Sequence, residues 1–139
     1  MQGQTHCLAL DMEAIVWDKT PPDLGTIDMR RTGPDALVIR LNGGSGLQML
    51  LEPSRQSISI RSGRVILESG KDCGQHTTAE YEELLVFLSG EGVLELGDGR
   101  RLDVGEGVVA YIRPQTIHNV INTGQRPLSY IYCVVPAGR

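Results

Sequence analysis

The sequence predicts an all-β fold, a barrel or sandwich of short antiparallel strands. Two observations carry this. No segment has the 3.6-residue apolar repeat of an amphipathic helix, and from residue 36 onward short apolar runs alternate with Gly-, Pro-, Asn- and Asp-rich turns. Such spacing is the signature of barrels and sandwiches. With 139 residues the chain fits one domain, able to bury roughly two-thirds of its unfolded surface.

Residues 1–34 read as an N-terminal arm laid over a barrel domain of residues 35–139. Within the arm, residues 14–17 suit a short strand, Pro21-Pro22 and Gly33-Pro34 break regular structure, and Trp17 is the natural anchor. Residues 36–41 and 47–52 flank Asn42-Gly-Gly-Ser-Gly46 and read as a hairpin. That Gly-rich loop is no phosphate cradle, because neither a Lys-Ser/Thr pair nor a helix follows it. Residues 57–61 and 65–68 read as two further short strands. Residues 83–89 form the central strand, then 93–96 and 101–104 flank the tight turn Gly97-Asp98-Gly99. Runs at 108–112, 118–121 and 128–135 complete the set. Residues 84–88 and 130–135 are apolar on both faces, so a second sheet, the arm or a second subunit must cover the outer one. A homodimer is the expected partner arrangement.

Composition narrows the function classes. A net charge of −4 argues against a nucleic-acid partner, which needs a basic stripe. Three widely spaced cysteines without a C-x-x-C pair suggest free thiols in a reducing cytoplasm. No basic, apolar leader is visible and no apolar run approaches the ~20 residues of a membrane helix, so no membrane partner is expected.

The chemistry concentrates between Gly70 and Gly92. Alternation along the central strand places Glu83, Leu85, Phe87 and Ser89 on one face, so a carboxylate heads an otherwise apolar inward row, seven residues after His76. A buried carboxylate needs a proton, a cation or hydrogen-bond donors to compensate it. His118 opens a second strand, with Val120 and Asn122 on its face. Two imidazoles and a carboxylate suit one divalent Fe, Mn, Zn or Ni ion and leave positions open for water or substrate. The same three residues could instead be hydrogen-bonded core groups.

Gly70-x5-His76-x-Thr78-x4-Glu83-x6-Gly90 resembles the first motif of the cupins, G-x5-H-x-H-x(3,4)-E-x6-G, with one substitution. Gly107-x5-Arg113-x-Gln115-x2-His118-x3-Asn122 resembles the second, G-x5-P-x-G-x2-H-x3-N, with two. The resemblance implies an antiparallel double-stranded β-helix, the jelly-roll cupin barrel, covering about residues 36–136. It also implies a mononuclear metal site at His76, Glu83 and His118, with Thr78 where the motif has its second histidine. Cys73, Gln75 or Gln115 are the candidates to replace that ligand, Cys73 reading more simply as a loop cysteine. Thr78, Tyr111, Arg113, Gln115, Asn122 and Phe87 are the candidate small-molecule-binding residues, Arg113 as a fork for an anionic group. Function divides between a metal-dependent enzyme of dioxygenase, isomerase or lyase type and a non-catalytic module, metal-free or not, that holds a small ligand or stores metal. A metal-free epimerase would need an acid–base pair, for which His118 with Tyr111 is the candidate.

Overall fold

The computed structural model describes residues 35–138. The predicted arm, its strand at residues 14–17 and the Trp17 anchor lie outside the described residues. Among those described there are nine strands and no helix: β1 Gly46–Leu51, β2 Arg61–Leu67, β3 His76–Thr77, β4 Tyr81–Ser89, β5 Glu91–Leu96, β6 Arg101–Gly105, β7 Val109–Ile112, β8 Ile117–Ile121 and β9 Leu128–Pro136. They form two antiparallel sheets, one ordered β1-β2-β9-β4-β7 and the other β3-β8-β5-β6.

The core lies between the sheets. Alternation decides who enters it: Leu85 and Phe87 from β4, Val65 and Leu67 from β2, Leu128, Tyr130, Tyr132 and Val134 from β9, with Leu94, Val104 and Val120 from the facing sheet. The rows run in a definite order. Leu67 faces Leu128 at one end, then Val65–Tyr130–Phe87, then Gly63–Tyr132–Leu85, then Arg61–Val134–Glu83 at the other. Phe87 and Tyr130 pack with ring centroids 5.3 Å apart. The closed, apolar end is thus built by residues after Leu85 on β4, and the polar row sits near the open end.

Two predicted elements differ. Residues 36–41 form no strand; the predicted hairpin is replaced by an irregular segment, with Val38 91% exposed. The cause is lateral competition. The Gln48 side chain donates to Arg40 O at 3.0 Å and accepts from Asn42 N at 2.9 Å, and the Arg64 guanidinium takes Asn42 O, Asn42 Oδ1 and Gly44 O. The partner of β1 is instead β2, in register from Gly46↔Ile66. Residues 57–61 and 65–68 are likewise not two strands. Residues 52–57 turn on the Glu52 carbonyl, and a single β2 runs through Ser62-Gly63-Arg64. Gly63 belongs in the strand because the Tyr132 ring lies over it, 2.7 Å from where a Cβ would stand.

Turn glycines fix the ends. Gly90 has φ +83°, and a Cβ there would lie 2.4 Å from Pro127 O, so neither the conformation nor the space admits a side chain. Gly70 and Gly107 share this left-handed backbone. On the outer face of the larger sheet Leu84, Leu88, Val109 and Tyr111 remain exposed, in keeping with two-sided apolar strands whose second face the described residues cover incompletely.

Candidate metal centre

His76 and His118 are direct register partners on β3 and β8, with ring centroids 4.3 Å apart at 60°. Glu83 reaches toward them from β4 in the opposite sheet. One ligand atom from each of the three residues lies within 4.8 Å of the others. The group therefore spans the two sheets, with Ile112 and Val134 beside Glu83 in its row. Glu83 is 3% and His118 1% exposed.

Hydrogen bonding sets the direction of the imidazoles. His76 Nδ1 is 2.8 Å from Gly74 O and His118 Nδ1 is 3.1 Å from Thr116 O. A carbonyl only accepts, so each Nδ1 carries a proton and Nε2 is the ring nitrogen left to face inward. This is the backbone-anchored arrangement that orients metal-ligating histidines. His118 Nε2 lies 3.0 Å from Glu83 Oε2. With His118 neutral, that contact sets lone pair against lone pair and is no hydrogen bond, consistent with Glu83 Oε2 being a buried atom without a donor. A cation between them, or a proton on Nε2, resolves it. Burial lowers the pKa of His76, as does the charge of a protonated His118, against weaker opposition from the Gly74 carbonyl and Glu83. His76 is thus held in its neutral, ligating form.

The other candidates disperse. Thr78 is wholly buried, but its Oγ1 donates to Arg113 O at 2.6 Å and accepts from Thr116 N at 3.0 Å. It clamps the loop that delivers His118. Asn122 is also a lock: Nδ2 donates to Leu67 O and Arg126 O, and Oδ1 accepts from Gly124 N. Phe87 lies two rows deeper than Glu83, in the apolar core. Tyr111 is 59% exposed on the outer face and donates to Glu82 Oε2 at 2.8 Å, so it makes no pair with inward-facing His118. Arg113 follows Ile112 out of β7 and is exposed. Gln115 is exposed at φ +60°, its N–H donating to Ala79 O. It lines a cavity of about 420 Å³ with Glu80, Tyr81, Pro114, Pro136 and Ala137. Cys73 is a core thiol whose sulfur accepts from Val120 N at 3.3 Å, outside the three-residue group.

Sequence reasoning missed Arg61 and Tyr132. Arg61 shares its face of β2 with core residues Val65 and Leu67, and its row with Glu83. Its place depended on the true extent of β2, which the Ser-Gly-Arg stretch disguised as a turn. Tyr132 lies one row below, its hydroxyl 3.5 Å from Met49 Sδ. Burial pushes its pKa up to about 12, Arg61 pulls it down, and Glu83 and Glu52 push it further up.

Comparisons with known proteins agree with this architecture. Residues 63–135 match the family described as Cupin domain. An uncharacterized protein of Methanocaldococcus jannaschii is 30% identical over 94 residues, covering 67% of this chain and 74% of that one. Among solved structures, a cupin protein from Bacteroides fragilis has a TM-score of 0.66 at 19% identity, covering 76% of this chain and 87% of its own. A predicted oxalate decarboxylase from Thermotoga maritima has a TM-score of 0.62 at 24% identity, covering 66% and 80%. At these identities the structural likenesses speak for the fold. With the family match across β2 to β9 and the His76, Glu83, His118 group at the barrel's open end, the chain belongs to the cupin family.

Proposed function

We propose that this cupin holds one divalent metal ion through His76 Nε2, Glu83 and His118 Nε2, and that a small polar molecule binds beside it. The observation that carries the reading is the 3.0 Å approach of Glu83 Oε2 to His118 Nε2 while both Nδ1 atoms face carbonyls. Two imidazole nitrogens and a carboxylate oxygen converging in this way, two of the three residues buried and His76 half-buried, suit a cation by their chemistry. Fe, Mn, Zn and Ni all suit two imidazoles and one carboxylate, and three protein ligands leave coordination positions for a substrate. Bound there, such an ion supplies a Lewis acid or, if redox-active, an oxygen-activating centre. The chain itself supplies orientation through the two carbonyl-anchored rings and a dry floor through Tyr132 and Leu85.

The test is elemental analysis of gently purified protein, and of protein reconstituted with Fe(II), Mn, Ni or Zn, beside Glu83→Ala and His118→Ala. About one metal per chain in the parent, lost in both variants, is expected. A folded parent that takes up none of the four ions would overturn the proposal and leave the metal-free binding module, with a proton between His118 and Glu83.

A further inference from the structure

We propose a second binding site at the rim of the barrel, one that takes an organic cation: an ammonium group carried on an apolar or aromatic body. The site is the cavity of about 420 Å³ lined by Glu80, Tyr81, Pro114, Gln115, Pro136 and Ala137. None of these six belongs to the His76, Glu83, His118 group, and the site stands whether or not that group holds a metal. Its volume lies in the range of small-molecule pockets, and it has their make-up, mostly apolar walls with a few placed polar groups.

Strand ends and a turn build the wall. Tyr81 opens β4 and pairs with Pro136 at the end of β9. The turn after β7 brings up Pro114 and Gln115, and Gln115 N–H donates to Ala79 O at 2.8 Å. Ala79 and Gln115 are two of the three non-glycine residues with positive φ among those described, at +48° and +60°. Backbone of this kind persists only where its surroundings hold it, so the rim is set before a ligand arrives.

Donors and acceptors around the cavity select the charge. The two prolines carry no N–H. The backbone N–H groups of Tyr81, Gln115 and Ala137 already donate to Thr78 O, Ala79 O and Glu80 O. An anion would find few donors there and would meet the Glu80 carboxylate. That carboxylate and the Gln115 side-chain amide have no hydrogen-bond or ion-pair partner among the described residues. A cation is offered the carboxylate and the Tyr81 ring, whose π face attracts positive charge. Burial raises the pKa of Tyr81 and the charge of Glu80 raises it further, against a smaller opposing effect of Arg61. The charge felt at this phenol is therefore negative on balance. Arg113, next to Pro114 in the chain, acts on Tyr111 of the outer face.

Probes with one phenyl body and different charge test this: 2-phenylethylammonium, neutral 2-phenylethanol and anionic 3-phenylpropionate. Each is titrated near neutral pH and followed by protein NMR, before and after chelation of any metal. The ammonium probe should produce saturable shifts at the Gln115 and Ala137 amides, with the same affinity after chelation. The alcohol should bind roughly 3- to 30-fold more weakly, and phenylpropionate more weakly still. Glu80→Gln should abolish the preference for the ammonium probe and leave the alcohol unchanged. Ala137→Phe, which fills the cavity, should remove binding of both. Unaltered thermal melts and metal content would show that the two variants are otherwise intact. Absence of saturable shifts at these amides, equal affinities for the three probes, or a Glu80→Gln protein that keeps the preference overturns the inference. Binding that disappears on chelation would assign the probe to the metal group and overturn it too.

Discussion

Replacing Thr78 by valine tests whether this position serves the loop rather than the ligand. The substitution keeps shape and volume and removes one hydroxyl. That hydroxyl donates to Arg113 O at 2.6 Å and accepts from Thr116 N at 3.0 Å, at a site with no exposure. Each backbone group left without a partner costs about 1–3 kcal/mol, the lower end applying where water can reach it. Arg113 is exposed, so its carbonyl can be rehydrated more readily than the Thr116 amide. The sum is about 2–4 kcal/mol of unfolding free energy, or roughly 7–18 °C in Tm for a domain of this size. The backbone bonds from Thr78 N to Thr116 O and from Tyr81 N to Thr78 O remain, so the fold should persist. Thr78→Ser, which keeps the hydroxyl and loses one methyl, should cost about 1 kcal/mol. Urea unfolding followed by circular dichroism measures both. A Thr78→Val protein within about 0.5 kcal/mol of the parent would refute the clamp.

Two further outcomes follow. Because Tyr132 has a native pKa raised to about 12 against 10 unfolded, its contribution is fully present below pH 10 and is lost as pH rises from 10 toward 12. Two pH units correspond to roughly 2–3 kcal/mol. Alkaline unfolding should therefore shift upward in Tyr132→Phe, and an unchanged profile would refute the assignment. The exposed row of Leu84, Leu88 and Val109 beside β7, an edge strand among the described residues, predicts a two-fold homodimer that continues the sheet. Sedimentation equilibrium should show a dimer that Val109→Lys dissociates, and a monomeric parent would refute it.

What sequence reading captured follows from how local its signals are. Alternation put Glu83, Leu85 and Phe87 on the inner face, as observed, and turn residues bounded β4 to β9 to within about two residues. It erred where side chains from elsewhere decided the outcome. Residues 36–41 have strand composition, yet Gln48 and Arg64 capture the adjoining backbone groups. Gly63 has turn composition, yet Tyr132 fills the space above it. Gln115 stands where the resembled motif has glycine and adopts φ +60°, in the left-handed region that favours glycine, a strained conformation the barrel's loop imposes.

The sequence by itself determined the all-β class, the succession of strands β4 to β9, and three ligand-capable residues at motif spacing. Those depend on period, turn chemistry and residue type, which are properties of neighbours in the chain. The tertiary structure decided what those residues meet. Pairing of β3 with β8 brings His76 against His118, and the facing of two sheets brings Glu83 to within 3.0 Å of His118. Register across β2, β9 and β4 puts Arg61 in the same row, while Thr78 and Asn122 turn to bond backbone and Tyr111 stays on the outer face. A site made between sheets is set by inter-strand register, and inter-strand register is a long-range property that alternation within one strand does not contain.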